Sequence, residues 1–301
     1  MTSIKSAAIR LLGHLDAELS AGGYPDAPSW GYAFTLLAAL EGNYESHSPL
    51  VSNALDNLLN QDKTSKNYSW EFVVYAWQRA SYLSDDIDFR KVPYGEKGTR
   101  MINWTLLRQL NRLRERVGCL RAKTILRCIR YIYTLSDGQI LDEFRTRSLQ
   151  YHAFCLFVLV ELFLHEQKSY LKDWLISGVK FSFENCLSDG VALYIGRGQE
   201  QIFGYGALIF AGEFVLAHWP NNFTAKDRAV LDKITSHLLS FQRGDGSYPL
   251  VLNADQPERP RVSFFKDRPH GWFGYNTLYD YQPFLAYCLL RASKFAQRDF
   301  K

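Results

Sequence analysis

The 301-residue sequence lacks the features that mark several classes of protein. Its five cysteines form no C-x-x-C pair and are odd in number, so we expect buried thiols in a reducing compartment instead of a disulfide framework. The histidines and cysteines show no metal-ligand spacing, and the sequence predicts neither a metal site nor a cofactor. A net charge of +4 is too small to indicate nucleic-acid binding.

Long uncharged apolar runs are also missing, so the sequence predicts no membrane span. Residues 1–19 predict an amphipathic helix with acidic residues, without the apolar core and cleavage site of a signal peptide. We therefore expect a cytoplasmic protein, or a periplasmic or secreted one if a leader has been removed.

Helical periodicity dominates what is present. The pattern predicts helices over residues 4–19, 33–40, 49–60, 71–83, 101–116, 120–135, 153–164, 170–185, 207–217, 226–242 and 283–292. Amphipathic and very apolar segments alternate, which is typical of an outer and an inner layer. The sequence thus predicts one all-α domain over residues 1–301, an α/α toroid of five to six helical hairpins. Polar residues 85–98 stand where an outer helix is expected, so the barrel should be incomplete.

Two further patterns support this architecture. An Asp-Gly turn follows three of the amphipathic segments, at residues 137–138, 189–190 and 245–246, as expected of a repeat. Residues 191–206 predict a glycine-rich loop that leads into an apolar helix. Because the inner helices of a toroid all begin at the same rim, the polar and aromatic residues at their starts should meet in one cleft. Those residues include Trp30, Trp70, Trp104, Arg108, Tyr151, Arg197, Asn276 and Asp280.

The cleft residues suit chemistry on an acidic sugar. Aromatic rings stack on sugar faces, and an arginine can bind a carboxylate with paired hydrogen bonds. We expect β-elimination on a uronic acid, with His152 as the base, Tyr205 or Tyr151 as the acid, and Arg197 neutralising the carboxylate. The predicted substrate-binding residues are Gln199, Glu200, Gln201, Trp30, Trp70, Arg108, His270, Trp272, Tyr275 and Asn276. Residues 249–268 predict a lid that brings Arg259, Arg261 or His270 to the substrate.

Three segments resemble the α/α-toroid polysaccharide lyases, namely the alginate-lyase and heparinase II/III-like group. They are residues 151–154 (YHAF), residues 197–205 (RGQEQIFGY) and residues 272–276 (WFGYN). The resemblance implies that His and Tyr side chains transfer protons, that Asn, Arg or Gln neutralises the carboxylate, and that the substrate is an anionic polysaccharide or oligosaccharide. The Asn-Asn-His segment of alginate lyases has no match, and Gln150, Tyr151 and His152 stand in its neighbourhood.

Two other functions fit the same fold. A glycoside hydrolase needs a carboxylic acid and a second carboxylate, for which Glu200 is the first candidate and Asp189, Asp280 and Glu71 are the others. A toroid that binds carbohydrate or serves as a scaffold without catalysis is the third interpretation. Separately, arginines crowd the middle third of the chain, which predicts either an anionic partner or a solvated helix face with salt bridges.

Overall fold

The computed structural model describes residues 3–65, 68–253, 271, 273 and 276–296. Strand pairing in these ranges is limited to three isolated bridges, so the described fold is all-α. The helices are α1 (Ile4–Ser20), α2 (Gly31–Glu41), α3 (Pro49–Asn60), α4 (Trp70–Ser81), α5 (Ile102–Arg114), α6 (Cys119–Ile132), α7 (Leu149–Glu166), α8 (Ser169–Glu184), α9 (Ile202–His218), α10 (Ala225–Ser240) and α11 (Leu278–Ala296).

Helices α2, α4, α5, α7, α9 and α11 form an inner ring. Each packs against the next one, and α11 packs against α2, so the ring is closed. Helices α1, α3, α6, α8 and α10 surround it as an outer layer. The predicted α/α toroid is confirmed, and in the described part of the chain the outer layer has one helix fewer than the inner ring. Helix α7 is long and apolar enough to cross a membrane, but 78% of it is buried inside the ring.

The missing outer helix falls between α4 and α5, as the polar composition of residues 85–98 predicts. An extended segment covers this gap and is anchored by charges. The Glu96 carboxylate accepts hydrogen bonds from Arg112 on α5 at 2.7 and 2.6 Å. The Glu71 carboxylate on α4 accepts the backbone N–H groups of Lys97 and Gly98 at 3.1 and 3.2 Å. Ionic and backbone contacts therefore replace helix packing at this position.

The three Asp-Gly turns have the same packing. Their glycines Gly138, Gly190 and Gly246 have φ of +96°, +91° and +89°. A Cβ at these glycines would lie 2.5, 2.4 and 2.3 Å from a carbonyl oxygen of α8, α10 and α1. Only glycine meets both conditions, the left-handed backbone and the close helix. Each turn thus follows one outer helix and packs against the next outer helix. The turn after α10 packs against α1.

Two expectations about the glycine loop and the cysteines need correction. The loop ends earlier than predicted, because α9 begins at Ile202 and includes Tyr205. Cys155 and Cys288 are buried as expected, but Cys128 is exposed on the outer helix α6. The apolar pattern around Cys128 belongs to the opposite face of that helix, where Leu126 and Ile129 are buried.

Candidate active site

A cavity of about 490 Å³ opens at the rim where the inner helices begin. Every inner helix contributes to it through its first turn or through the residue that caps it. The lining consists of Ala27, Ser29, Trp30, Ser69, Phe72, Lys97, Thr99, Met101, Asn103, Trp104, Tyr151, Arg197, Phe203, Thr277, Asp280 and Tyr281. Of the predicted catalytic and substrate-binding residues, Trp30, Tyr151 and Arg197 come together here.

Aromatic rings form the apolar part of the cleft. The Trp30 ring stacks on Phe72 with 4.7 Å between centroids, and Phe203 stacks on Tyr281 at 4.8 Å. Trp104 meets Phe72 edge to face at 5.1 Å. These rings hold each other in place and form a rigid aromatic wall. Most of them are buried, whereas Trp104 is partly exposed and presents a surface of the kind that stacks on sugars.

Arg197 is the main cation of the cleft wall, and Asp142 holds it. Its Nε and Nη2 donate to the two carboxylate oxygens of Asp142 at 2.8 and 3.1 Å. The Asn103 amide donates to the same carboxylate at 2.9 Å. The guanidinium carbon lies 4.5 Å from the ring centre of Tyr151. Asp142 is buried and Arg197 is partly exposed, so the pair fixes the guanidinium at the cleft surface beside a phenol.

A second cation reaches the cleft from residues 85–98, the segment that stands in place of the missing outer helix. The ammonium group of Lys97 lies 5.8 Å from the centre of the Trp104 ring, within the range of a cation–π contact. The anchoring of Lys97 by Glu71 therefore places a positive charge beside an aromatic surface.

Among the described residues, Asp280 is the carboxylate that lines the cleft. It accepts hydrogen bonds from the Ser29 N–H and hydroxyl at 3.1 and 3.0 Å, from the Trp30 N–H at 2.8 Å and from the Thr277 hydroxyl at 2.6 Å. Burial raises the pKa of Asp280 to about 6, although these hydrogen bonds act in the opposite direction. The carboxylate joins the start of α11 to the start of α2.

A row of amides lies behind the cleft. Gln150 donates to Gln201 at 2.8 Å, Gln201 donates to Asn276 at 2.8 Å, and Asn276 donates to the Tyr281 hydroxyl at 2.7 Å. Gln201 is fully buried and Asn276 nearly so. These two predicted substrate-binding residues therefore support the cleft from behind, and Tyr281 is the member of the row that faces it.

His152 is not in the cleft. The N–H of Ile140 donates to its Nδ1 at 3.0 Å, and its Nε2 lies 3.0 Å from the carbonyl oxygen of Gly178, to which it donates as the neutral ring. Burial lowers the pKa of His152 to about 4. With both ring nitrogens bonded to the backbone, this imidazole has no position from which to take a substrate proton. The structure therefore does not support the sequence prediction of His152 as the catalytic base.

Tyr205 and Glu200 also lie outside the cleft. The Tyr205 hydroxyl donates to the Glu200 carboxylate at 2.9 Å and accepts the N–H of Ala192 at 3.2 Å. Burial and the neighbouring Glu200 raise the pKa of Tyr205 well above its usual value. Glu200 also accepts from Asn253 at 2.9 Å. These contacts tie the glycine loop to α9 and to residue 253, so the structure does not support Tyr205 as the acid or Glu200 as a cleft carboxylate.

Three other predicted binding residues lie outside the cavity lining. Arg108 donates twice to Glu71, at 3.0 and 2.8 Å, and unlike Arg197 it lies outside the cavity lining. The Trp70 indole is covered by Gly95, where a Cβ would lie 2.4 Å from the ring. Gln199 is partly buried and lies outside the cavity lining.

Some predicted residues lie outside the described residues. These are His270, Trp272 and Tyr275, together with Arg259 and Arg261 of the expected lid.

Two charged residues of the cleft region were missed by the sequence analysis. Asp142 lies four residues after the glycine of the first Asp-Gly turn and precedes α7, and this position between a repeated turn and an inner helix could have indicated it. Lys97 lies in the polar segment that replaces an outer helix, where no local pattern marks a binding residue. Among the described residues, no cluster of three or more His, Cys, Asp or Glu side chains is placed to hold a metal ion.

Comparisons with known proteins bear on the fold. No protein-family profile and no curated protein matches this chain. Solved structures are similar over nearly the whole chain. A polysaccharide lyase has a TM-score of 0.65 at 10% identity, covering 98% of this chain and 99% of its own. An unsaturated glucuronyl hydrolase from Streptococcus agalactiae has a TM-score of 0.65 at 12% identity, covering 96% and 90%.

A third similar structure is the GH76A alpha-1,6-mannanase from Salegentibacter, with a TM-score of 0.63 at 12% identity, covering 97% of this chain and 99% of its own. At such low identity the similarity establishes the fold alone. Because a lyase and two hydrolases share this fold, the reaction has to be argued from the cleft. The described chain is an α/α toroid with an aromatic, cationic cleft at the rim of its inner helices.

Proposed function

We propose that this chain is an enzyme that binds a uronate-containing saccharide in the rim cleft and cleaves it by β-elimination. The observation that carries the proposal is the Arg197–Tyr151 pair, a guanidinium 4.5 Å above a phenol ring in an aromatic cleft. Arg197 binds the substrate carboxylate, Lys97 adds a second positive charge, and the rings of Trp30 and Trp104 hold the sugar.

The reaction requires one proton to leave and one to arrive. A base removes the proton at C5 of the uronate, the C4–O bond breaks, a C4=C5 double bond forms, and the leaving oxygen takes up a proton. Tyr151 serves both steps, first as phenolate and then as phenol. A guanidinium beside a phenol stabilises the anion that forms when the phenol loses its proton. The same cation stabilises the negative charge that develops on the substrate carboxylate in the transition state.

Asp142 determines what Arg197 can contribute. Its carboxylate balances the charge of the guanidinium, so the pair alone adds little net positive charge to the cleft. Asp142 instead fixes the geometry of the site, because its two hydrogen bonds with Arg197 prevent the guanidinium from rotating away from Tyr151. The net positive charge that attracts a uronate then comes from Lys97.

The test is an assay of the purified protein on acidic polysaccharides of the alginate, pectate and glycosaminoglycan types, with a neutral mannan as control. We expect ultraviolet absorbance from a conjugated unsaturated uronate, and new reducing ends in equal number, with at least one acidic polymer. Reducing ends without absorbance would overturn the lyase proposal. If neither absorbance nor new reducing ends appear while the protein still binds the polysaccharide, the chain would be a carbohydrate-binding toroid without catalysis.

A glycoside hydrolase is the second candidate because of Asp280. A carboxyl group with a pKa of about 6 in a sugar-sized cleft suits a general acid near neutral pH. This mechanism ranks second because it needs a further carboxylate across the bond, and Asp280 is the carboxylate that the described lining provides. An Asp280→Asn variant that loses the production of reducing ends, with no absorbance in the wild type, would establish this alternative.

A further inference from the structure

Helix α6 carries an exposed surface that the proposed reaction does not use. We define the α6 face as two exposed residues that precede the helix, Arg116 and Val117, and seven exposed residues that share one side of it, Leu120, Arg121, Thr124, Arg127, Cys128, Tyr131 and Ile132. Leu120 is 82% exposed and Tyr131 is 79% exposed. Large apolar side chains with this exposure need an explanation when they lie side by side.

The charge of this surface has one sign. No Asp or Glu occurs from residue 116 to residue 136, a stretch that holds five Lys and Arg residues. Lys123 pairs with Glu166 at 3.2 Å and Arg130 packs over the Tyr170 ring, so both lie at the flank. Within the described ranges, no carboxylate pairs with Arg116, Arg121 or Arg127. Three exposed guanidinium groups thus lie among the apolar side chains.

The turn before α7 continues this surface. Phe144 is exposed, and its ring meets Tyr133 at the end of α6 with 6.5 Å between centroids. The guanidinium of Arg145 lies 5.1 Å from the Phe144 ring. Glu143 is the acidic residue of this turn, and Arg147 is exposed beside it. The turn therefore repeats the combination of an exposed ring and arginines.

We propose that the α6 face docks on the surface of an anionic lipid bilayer. The apolar side chains enter the headgroup region, while the arginines bind lipid phosphates. The exposed Leu and Ile side chains distinguish this partner from the saccharide, because aliphatic groups do not bind sugars as aromatic rings do. A second copy of the same face is disfavoured because the two would repel each other.

A protein partner fits less well than a bilayer. The α6 helix has 14 residues, a length of about 21 Å, and one strip of this length falls short of the ~800 Å² per partner that stable complexes bury. A bilayer sets no such limit, since a few inserted side chains and basic contacts suffice for reversible binding. Docking through the outer layer leaves the rim cleft open, so this inference stands independently of the proposed reaction.

Vesicle flotation tests the proposal with the full chain. We expect binding to phosphatidylcholine vesicles that contain about 30% phosphatidylglycerol, little binding to pure phosphatidylcholine, and release as salt rises from about 0.05 to about 0.5 M. The double variant Arg121→Gln, Arg127→Gln should bind about 30-fold more weakly, which corresponds to about fivefold per arginine. The matched control Lys226→Gln, Lys233→Gln removes the same charge from exposed positions of α10 and should bind as the wild type does.

A second variant separates insertion from plain charge attraction. Leu120→Ser with Tyr131→Ser keeps the charge and should still weaken vesicle binding at least fivefold, since each buried apolar side chain contributes to docking. Circular dichroism checks that all variants are folded. The proposal is overturned if anionic vesicles are not bound at low salt, or if the α10 control binds as weakly as the arginine variant. It is also overturned if the serine variant binds vesicles like the wild type and soluble polyglutamate, a polyanion without a bilayer, fully displaces the protein from them, because charge attraction alone would then explain binding.

Discussion

His152 is held neutral in the folded chain because both of its ring nitrogens are bonded to backbone groups. Tyr151, its neighbour in sequence, lines the cleft. Adjacent residues of an α-helix point about 100° apart, so both side chains could not face the cleft. The sequence marks the pair but not which member faces inward, since that depends on how α8 packs against α7. Gly178 of α8 supplies the carbonyl that binds His152.

Burial of His152 makes stability depend on pH. Its pKa is lowered to about 4, so the unfolded chain takes up a proton before the folded one does. The stability contribution of this group is complete above its unfolded pKa of ~6.5, and about 3 kcal/mol of it is lost as the pH falls to 4. The raised pKa of Asp280 acts oppositely, because the folded chain then binds its proton first as the pH falls below about 6.

A His152→Gln variant isolates this effect, because it leaves Asp280 unchanged. Urea unfolding followed by circular dichroism at pH 7 and at pH 4 gives the free energy of unfolding of both proteins. Between these pH values the wild type should lose about 2–3 kcal/mol more than His152→Gln does. Equal pH dependence of the two proteins would contradict a buried neutral imidazole.

At the scale of helices and turns, local patterns predict most of the fold. The 3.6-residue period and the alternation of apolar and amphipathic segments give the order of inner and outer helices, including the missing helix at residues 85–98. The start of α9 was predicted too late, because glycines at positions 204 and 206 suggested a loop. A Cβ at Gly204 would lie 2.2 Å from Gln150, so close helix packing, which a local pattern does not show, is the reason for that glycine.

The last Asp-Gly turn offers a matched pair of glycines. Gly246 has φ +89° and its Cβ would lie 2.3 Å from the Arg10 carbonyl, whereas Gly244 has open space around it. We expect Gly246→Ala to lower the free energy of unfolding by about 2–4 kcal/mol, through backbone strain and displacement of α1. Gly244→Ala should change it by less than about 1 kcal/mol. Denaturant unfolding of both variants checks this, and similar losses would contradict the docking role of the turn.

At the scale of the whole molecule, charges buried near the C-terminal ends of the inner helices link the ring. Glu161 of α7 binds Arg114 of α5 at 2.7 Å and Arg291 of α11 at 2.9 Å. Arg291 also lies 3.8 Å from Glu41 of α2. Arg79 of α4 lies 4.0 Å from Glu41 as well, so five of the six described inner helices are joined at the end opposite the cleft. Burial alone would raise the pKa of Glu161, but Arg291 and Arg114 outweigh it and lower that pKa to about 2.

Removing the charge of Glu161 should loosen the ring. Glu161→Gln leaves Arg114 without its counter-charge and leaves Arg291 with Glu41 alone, and we expect a loss of about 3–5 kcal/mol at pH 7. Since its folded pKa is depressed, this contribution is present above pH ~4.5 and disappears as the pH falls towards 2. The matched control is Glu213→Gln on α9, where burial raises the pKa and the Arg228 partner is partly exposed.

The control should cost less than about 1 kcal/mol, as is usual for a pair with an exposed member. Thermal unfolding of both variants at pH 7 compares them. Equal losses would show that the buried network does not hold the ring together.

The central claim is that Tyr151, and not Tyr205, transfers protons in the rim cleft. The most direct measurement is the turnover of Tyr151→Phe and Tyr205→Phe on the acidic polymer that the wild type cleaves, each well below its melting temperature. We predict that Tyr151→Phe loses about 10²–10⁴-fold in kcat, as removal of a general acid–base group does, while Tyr205→Phe keeps kcat within about fivefold. Full activity of Tyr151→Phe, or an equal loss in Tyr205→Phe, would contradict this account.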